Sequence, residues 1–532
     1  MSIKMARKIA ILLIAGILLI CSVGLVSASP VITSWGNDFT NDNSTNITVS
    51  TGTTVMFNAT ANETITTWNW TVNSVDQDNN ASTFNYTFLS YGMYNVNVSG
   101  TNANGTTPMV TWNVTVELVI TDDLGKTWRI SQQPLKIVSL APSNTEILFA
   151  VGAGNRVVGV TNFCDYPLEV GARVSAGNIT RVGGFVVPST EIIINLTPDL
   201  ILAAHGNRID VINKLIVHNF TVVALHPKNI SDILGHIELV GDITRQKANA
   251  TALTTNMTQR IETITSNTTH YSEAQRLRVL HVVWYPGIWV AGSGTFPHDI
   301  IQQAGGVNIA SGISGWSMMS LEDILVGDPE VIITSGMGGG SEIIKANLMN
   351  NTIIQQTTAY RDGRIHAMGD PNIIERPGPR IVYGLEEFYS VFRSTPPITT
   401  IASSAGTSTF ATSTVISGAV RDADPKSLTL NGVAITPAVD GSYSRGVSLS
   451  IGYNTFTVVA TDLTGNSVTQ TITVKRLLAG GVAPAPTPVP TPVPTPTPEP
   501  EPKPWYEIPG FGAIFAILGL LAVAYLCRRS KI

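Results

Sequence analysis

The 532 residues do not keep one periodicity, and that switching constrains the fold more than any other feature of the chain. Residues 30–118 alternate apolar and polar side chains in short runs. Residues 120–395 set β-branched apolar runs between stretches of helical spacing. Residues 396–476 return to alternation, and residues 483–504 are Pro-Thr-Glu rich. A period of two makes half-buried strands and a period near 3.6 makes helices, so one core cannot absorb all of these segments. At roughly 150 residues per domain the length predicts three or four units. The fold class expected is multi-domain: a central two-lobed α/β unit with a long interlobe helix, flanked by two all-β sandwich domains.

In the first β region, Thr54–Ala59, Thr67–Val72 and Tyr94–Val98 read as strands with one buried face, separated by Gly and Asn clusters. Trp68-Asn69-Trp70 followed by Tyr91-Gly92-Met93-Tyr94-Asn95-Val96 resembles a PKD domain. Trp68 and Trp70 are either core residues or a platform for a sugar. In the last β region, Thr412–Ser417, Leu428–Asn431, Asn454–Val459 and Val468–Val474 predict a second, Ig-like sandwich. Within the linker, residues 477–505, the Pro-Thr-Glu stretch 483–504 predicts extended polyproline, a stand-off on the order of 60 Å.

Both ends give an address. Lys4, Arg7 and Lys8 precede an apolar run from Ile9 to Val26, and Val26-Ser27-Ala28 offers small residues for cleavage. That order is a secretory signal over residues 1–28, or an anchor if it is not removed. Residues 508–527 form a second apolar span, followed by Arg528, Arg529 and Lys531, which stay cytoplasmic. Pro509-Gly510-Phe511, the span and the basic tail together resemble the archaeal PGF-type sorting signal. That resemblance implies anchoring at the outer face of the membrane.

Charged residues are only 13% of the chain, against about a quarter in ordinary soluble proteins. A net charge of −5 argues against a nucleic-acid binder. Between the two apolar ends only Cys164 remains, which excludes a disulfide there and any CxxC zinc site. Asn-x-Ser/Thr sequons crowd the N-terminal region, and Asn178, Asn195, Asn219, Asn229, Asn249, Asn256, Asn267 and Asn350 continue the series. They mark a glycosylated exterior or follow from an Asn/Thr-rich composition.

In the central unit, Lys136–Leu140, Val157–Val160, Leu200–Ala203 and Val222–Leu225 predict parallel strands with intervening helices. Apolar positions from Ile230 to Ile264 predict one long helix. Strands restart at Arg278–Val283, Val331–Thr334 and Arg364–Ala367, giving a second lobe.

Several ordered motifs in this unit resemble the cobalamin/iron-siderophore class of ABC-importer substrate-binding proteins. They are Ile137-Val138-Ser139-Leu140-Ala141-Pro142-Ser143-Asn144-Thr145-Glu146, Cys164-Asp165-Tyr166-Pro167, Ala304-Gly305-Gly306-Val307-Asn308 and Glu375-Arg376-Pro377-Gly378-Pro379-Arg380. The Cys-Asp-Tyr-Pro element is nearest the vitamin B12-binding branch. Departures are Lys136 where the class often has Arg, and no tryptophan near His205.

The resemblance implies an interlobe cleft for a corrinoid, with an iron chelate or haem as the alternative cargo. It also implies partners: an ABC permease and its ATPase, with no resident cofactor. A flat, partly apolar ligand needs aromatic walls and a few polar groups. Tyr166, Phe185, Trp284, Trp289 and Trp316 supply the first, His205 and Arg376 the second, while Arg380 either binds ligand or caps the last helix. Glu191 and Glu322 lie in two segments of one pattern, Ser/Thr, Glu, apolar, then x-Pro-Asp/Glu before a strand. In the resembled class such glutamates dock on permease arginines; on general grounds they equally suit helix N-termini.

His205, His226, His281 and His366 lie in or after strands, but no HxH or ExxH spacing supports a metal site. Gly336–Gly340 lacks the Lys-Ser/Thr of a phosphate loop. No nucleophile or acid/base constellation points to an enzyme. A scaffold whose β-domains bind envelope glycans is the reading from another class.

Overall fold

The computed structural model describes residues 28–40, 44–269, 271–336, 340–422 and 425–478. Residues 1–27 of the expected signal, the membrane span, most of the proline-rich linker and residues 337–339 lie outside this set. Two compact units divide at Gln133/Pro134.

The first unit packs a three-stranded sheet against a seven-stranded one. Alternation works as period two requires: along Thr54–Ala61, Val55, Phe57 and Ala59 turn inward. Phe57, Trp70, Phe84 and Trp112 stack at the centre, with Trp70 and Trp112 centroids 5.9 Å apart. Trp70 is wholly buried and donates its indole N–H to Ala81 O, so it is a core residue and not a sugar platform.

In the second unit, the first lobe is a five-stranded parallel sheet ordered Thr180–Arg181, Val157–Val160, Ile137–Ser139, Leu200–Ala204, Val222–Leu225. In chain order that is 3-2-1-4-5, so the winding reverses between Ile137–Ser139 and Leu200–Ala204. The two central strands are buried on both faces and apolar apart from Ser139, as helices on either side demand. In the second lobe, Leu277–Trp284 pairs in parallel with Gly306–Asn308 and with Val331–Thr334, which pairs with Ile365–Ala367. Its upper end instead pairs antiparallel with Trp289–Ala291, which pairs with Trp316–Met318.

The single helix expected from Ile230 to Ile264 is two helices, Ile230–Thr244 and Lys247–Thr268. Arg245 takes a left-handed conformation (φ 55°) and turns the chain back. A Cβ on Gly241 would lie 2.3 Å from Ala250 Cβ, so glycine lets the two helices touch. Thr251 and Thr254 also donate to Glu238 across the pair. The 22-residue second helix carries the chain to the second lobe. Arg260 on it grips Glu386 of the last helix, Ile381–Ser394, through two hydrogen bonds of 2.8 and 2.7 Å.

A second β-sandwich, with sheets of four and five strands, closes the described chain around Ile416, Leu428, Phe456 and Val458. It is fixed to the second lobe: Arg421 reaches Ala274 O and Glu330, and Asp422 N–H donates to Gln275 O.

Candidate functional site

In open parallel sheets the crevice forms at the carboxyl ends of strands, where the winding reverses. In the first lobe that place lies between Leu140–Asn144 and Ala204–Asn207. Two buried asparagines stitch it: Asn144 Nδ2 donates to Ala203 O and Asn207 Nδ2 to Leu140 O, each at 3.0 Å. Asn207 Nδ2 also donates to Phe185 O at 2.7 Å. The Phe185 ring lies against Gly206, where a Cβ would come within 2.1 Å of it. His205 is at the lip, stacked on His226 from the next strand with centroids 3.7 Å apart. Burial, helped by the charge of Lys228, pushes the His205 imidazole down, toward the neutral form. Phe185 and His205 are therefore together, and His226, Asn144 and Asn207 join them. The two asparagines carry no periodicity signal; Asn144 falls within the opening motif, and the reversal of strand order brings Asn207 to it.

The corresponding point of the second lobe lies between the ends of Leu277–Trp284 and Val331–Thr334. Trp284 stands there partly exposed, directly opposite Trp289 across the antiparallel pair. Trp316 is on the next strand, and its ring meets Phe296 edge-on at 5.8 Å. Behind Trp284, buried His281 Nε2 is 2.8 Å from Ser335 Oγ, and Ser335 also bonds Glu375. Burial pushes Glu375 up to about 7, against the Ser335 hydrogen bond and the charge of Arg376. Burial likewise pushes His281 down to about 3. His281 Nδ1 and Glu375 Oε1 are buried without partners.

The seam between the lobes is ionic. Glu146, buried in the helix Pro142–Ala150, accepts from Arg380 Nε and Nη2 at 2.8 Å each and from Arg376 Nη1 at 3.2 Å. Arg376 also meets Asp165, and Arg380 meets Asp370 at 2.9 Å and covers the Tyr166 ring at 4.1 Å. Burial alone would raise Asp165, but the hydrogen bond and charge of Arg376 outweigh it and hold the carboxyl low. Arg376, expected to face ligand, thus joins the lobes through Glu146 and Asp165, while Arg380 both opens the last helix and clamps Glu146. The seam aims Tyr166, which is 42% exposed, outward.

Glu191 and Glu322 occupy one repeated structure. Each is exposed in the first turn of a seven-residue helix, Thr190–Leu196 or Leu321–Gly327. Ser189 and Ser320 cap the helices by accepting from Ile192 N and Asp323 N. Each helix ends in a left-handed residue, Thr197 or Asp328, before a proline. The carboxylate after that proline then accepts a backbone N–H at the start of the lobe's first strand.

Among the described residues, no three His, Cys, Asp or Glu side chains are grouped to hold a metal ion. Cys164 is buried beside Thr161, and burial pushes its thiol up, which suits packing and not nucleophilic chemistry.

Residues 137–371 match the family model described as periplasmic binding protein. Residues 396–476 match domain B of glucodextranase, and residues 508–529 match the PGF-CTERM motif. The chain is 30% identical over 263 residues to an ABC transporter substrate-binding lipoprotein, YvrC, of Bacillus subtilis, covering 48% of this chain and 80% of that protein. It is 28% identical over 273 residues to a cobalamin-binding protein of Halobacterium salinarum, covering 50% and 71%. It is also 28% identical over 254 residues to a vitamin B12-binding protein of Vibrio cholerae, covering 47% and 87%.

Proposed function

Because the chain belongs to the periplasmic binding protein family, we infer that it is the extracytoplasmic capture component of an ABC importer and that its cargo is a corrinoid. The observation that carries the transport reading is the repeated capped helix of the two lobes. It sets one exposed carboxylate, Glu191 or Glu322, at a matching point of each lobe. Two separated carboxylates orient the protein on a two-fold basic receptor and speed the encounter. The match at residues 508–529 supports anchoring at the cell surface, beside the permease and its ATPase.

The corrinoid reading is supported by the cobalamin- and vitamin B12-binding relatives and by the aromatic walls. Phe185 and His205 would meet the ligand from the first lobe, Trp284, Trp289 and Trp316 from the second, and Tyr166 and Arg376 from the seam. The 22-residue helix Lys247–Thr268, the Glu146 seam and the hydrogen bond from Ile230 N to Asp299 of the second lobe restrict lobe closure to small motions. A preformed cleft loses less ordering entropy on binding.

The first test is calorimetric titration of the protein with cyanocobalamin, cobinamide, haem and a ferric hydroxamate. Tight binding of a corrinoid alone supports the reading. Binding of an iron compound keeps transport and moves the cargo. Binding of none favours a surface scaffold, in which the sandwiches do the binding. The docking role is tested by Glu191→Arg with Glu322→Arg: cargo binding should persist while uptake falls by at least tenfold. Unchanged uptake would remove the docking assignment.

A further inference from the structure

We propose that the two-lobed body carries N-linked oligosaccharides at Asn178, Asn219 and Asn350, each in an exposed turn toward the N-terminal ends of its own lobe's strands, and that the carboxyl ends lining the cleft stay bare. The eight sequons of this body are alike in sequence but not in presentation. A glycosylating enzyme must reach the asparagine amide and the hydroxyl two residues on, which is why acceptors belong to surface loops. In a helix, residues i and i+2 do not face each other, so the two groups point apart.

That sorts the set. Asn195, Asn249, Asn256 and Asn267 lie within helices. Asn249 Nδ2 also donates to Val151 O, and Asn267 Nδ2 to Thr263 O. Asn229 is a helix cap, its Oδ1 accepting from Asp232 N at 2.8 Å. Asn178, Asn219 and Asn350 remain. Each is exposed in a turn: Asn178 after the helix Leu168–Ser175, Asn219 with φ 63°, and Asn350 at the end of the helix Ser341–Met349.

Topology places each of the three toward the N-terminal ends of its own lobe's strands. Asn178 shortly precedes the strand Thr180–Arg181, and Asn219 the strand Val222–Leu225, both in the parallel sheet. Asn350 ends a helix that begins above the strand Val331–Thr334 and runs down its length. The sequon nearest the strand carboxyl ends is Asn229, and the one nearest Glu191 is Asn195; both are poorly presented. Glycans on the three turns would shield the outward edge of each lobe and leave the cleft and the docking glutamates accessible. That purpose rests on the transport reading, whereas the positions do not.

The test is glycopeptide mass spectrometry of the full chain secreted by an N-glycosylating archaeal host. Modified peptides are expected at Asn178, Asn219 and Asn350, with Asn195, Asn229, Asn249, Asn256 and Asn267 unmodified. Asn69 and Asn85 of the first unit report that the machinery has acted. There, alternate strand positions put the asparagine and its threonine on one exposed face. Bare turns in a molecule modified at those two positions would overturn the proposal, as would glycans on the helical sequons or no glycan anywhere. Asn→Gln at the three turns should remove the three mass increments and leave cargo binding unchanged. A bare protein that still binds cargo sinks only this proposal; a glycosylated protein that binds nothing sinks only the transport reading.

Discussion

The first and second lobes use the same segment differently. Ser189–Leu200 and Ser320–Val331 share the serine cap, the short helix, the left-handed stop, the proline and the carboxylate. In the first lobe that carboxylate is Asp199, exposed, accepting from Leu135 N and Lys136 N at 2.8 and 2.9 Å. In the second it is Glu330, 1% exposed. Its Oε2 accepts from Arg278 N at 2.8 Å, and its Oε1 lies 3.1 Å from both Arg278 Nη1 and Arg421 Nη1. One added methylene leaves the capping duty intact and frees the second oxygen for an arginine of the C-terminal sandwich. The repeat therefore specifies how a lobe starts its sheet, and side-chain length specifies what else that point can hold.

Glu146 has no such counterpart because it serves the seam between the lobes. Glu146→Ala would leave two nearly buried guanidiniums without their shared carboxylate, at a cost of about 3–5 kcal/mol. Denaturant unfolding of the two-lobed body measures it, and a loss below about 1 kcal/mol would show that Asp165 and Asp370 suffice for the seam. Next in size is Glu330→Gln, expected to cost about 2–3 kcal/mol, less because Arg278 and Arg421 reach solvent in part. Hydrogen exchange should rise where the sandwich meets the lobe, around Gln275 and Asp422. If exchange there stays unchanged, Glu330 does not hold the sandwich.

Much of this body was legible in the sequence, and what was missed has physical reasons. Alternation gave the sandwiches, because a strand shows one face to water. Apolar runs gave the central strands, because helices cover both faces. The repeat around Glu191 and Glu322 was visible because caps and prolines are local signals. The helix break at Arg245 was not: the left-handed stop there uses neither Gly nor Pro. Its trace is the gap in large apolar residues between Ile243 and Leu253, where small Ala250 meets Gly241. The seam was hidden because Glu146 and Arg376 are 230 residues apart, and a charge pattern does not name its partner. The sequence therefore names Arg376 as a ligand contact and does not name the carboxylates it also joins.

The titrating pair behind Trp284 gives a third way to separate the lobes, since the first lobe has no equivalent. Glu375 is raised in the folded state, so its contribution is full at low pH and is lost as pH rises from about 4.5 through about 7. His281 is lowered, so its contribution is present above its usual value and is lost as pH falls from about 6.5 toward 3. Glu375→Gln should therefore abolish the loss on the alkaline side, raising stability at pH 8 by at most about 3 kcal/mol relative to pH 5. Thermal unfolding between pH 4.5 and 8 reads this directly. Parallel profiles for the variant and the native chain would mean that Glu375 ionises freely in the fold.

Asp199→Asn should be the mildest change, and it bears most directly on the repeat. Asparagine keeps an Oδ1 acceptor for Leu135 N and Lys136 N, so only the charge assistance of an exposed carboxylate is lost. That is worth about 0.5–1 kcal/mol. The matching isosteric change at Glu330 removes the same backbone-directed charge and also leaves Arg278 and Arg421 without their shared anion. Unfolding of both variants in one buffer subtracts the common capping duty, and the remainder is the docking of the sandwich. Equal costs at the two positions would mean that the arginine cluster adds nothing and that the lobes differ in sequence without differing in energy.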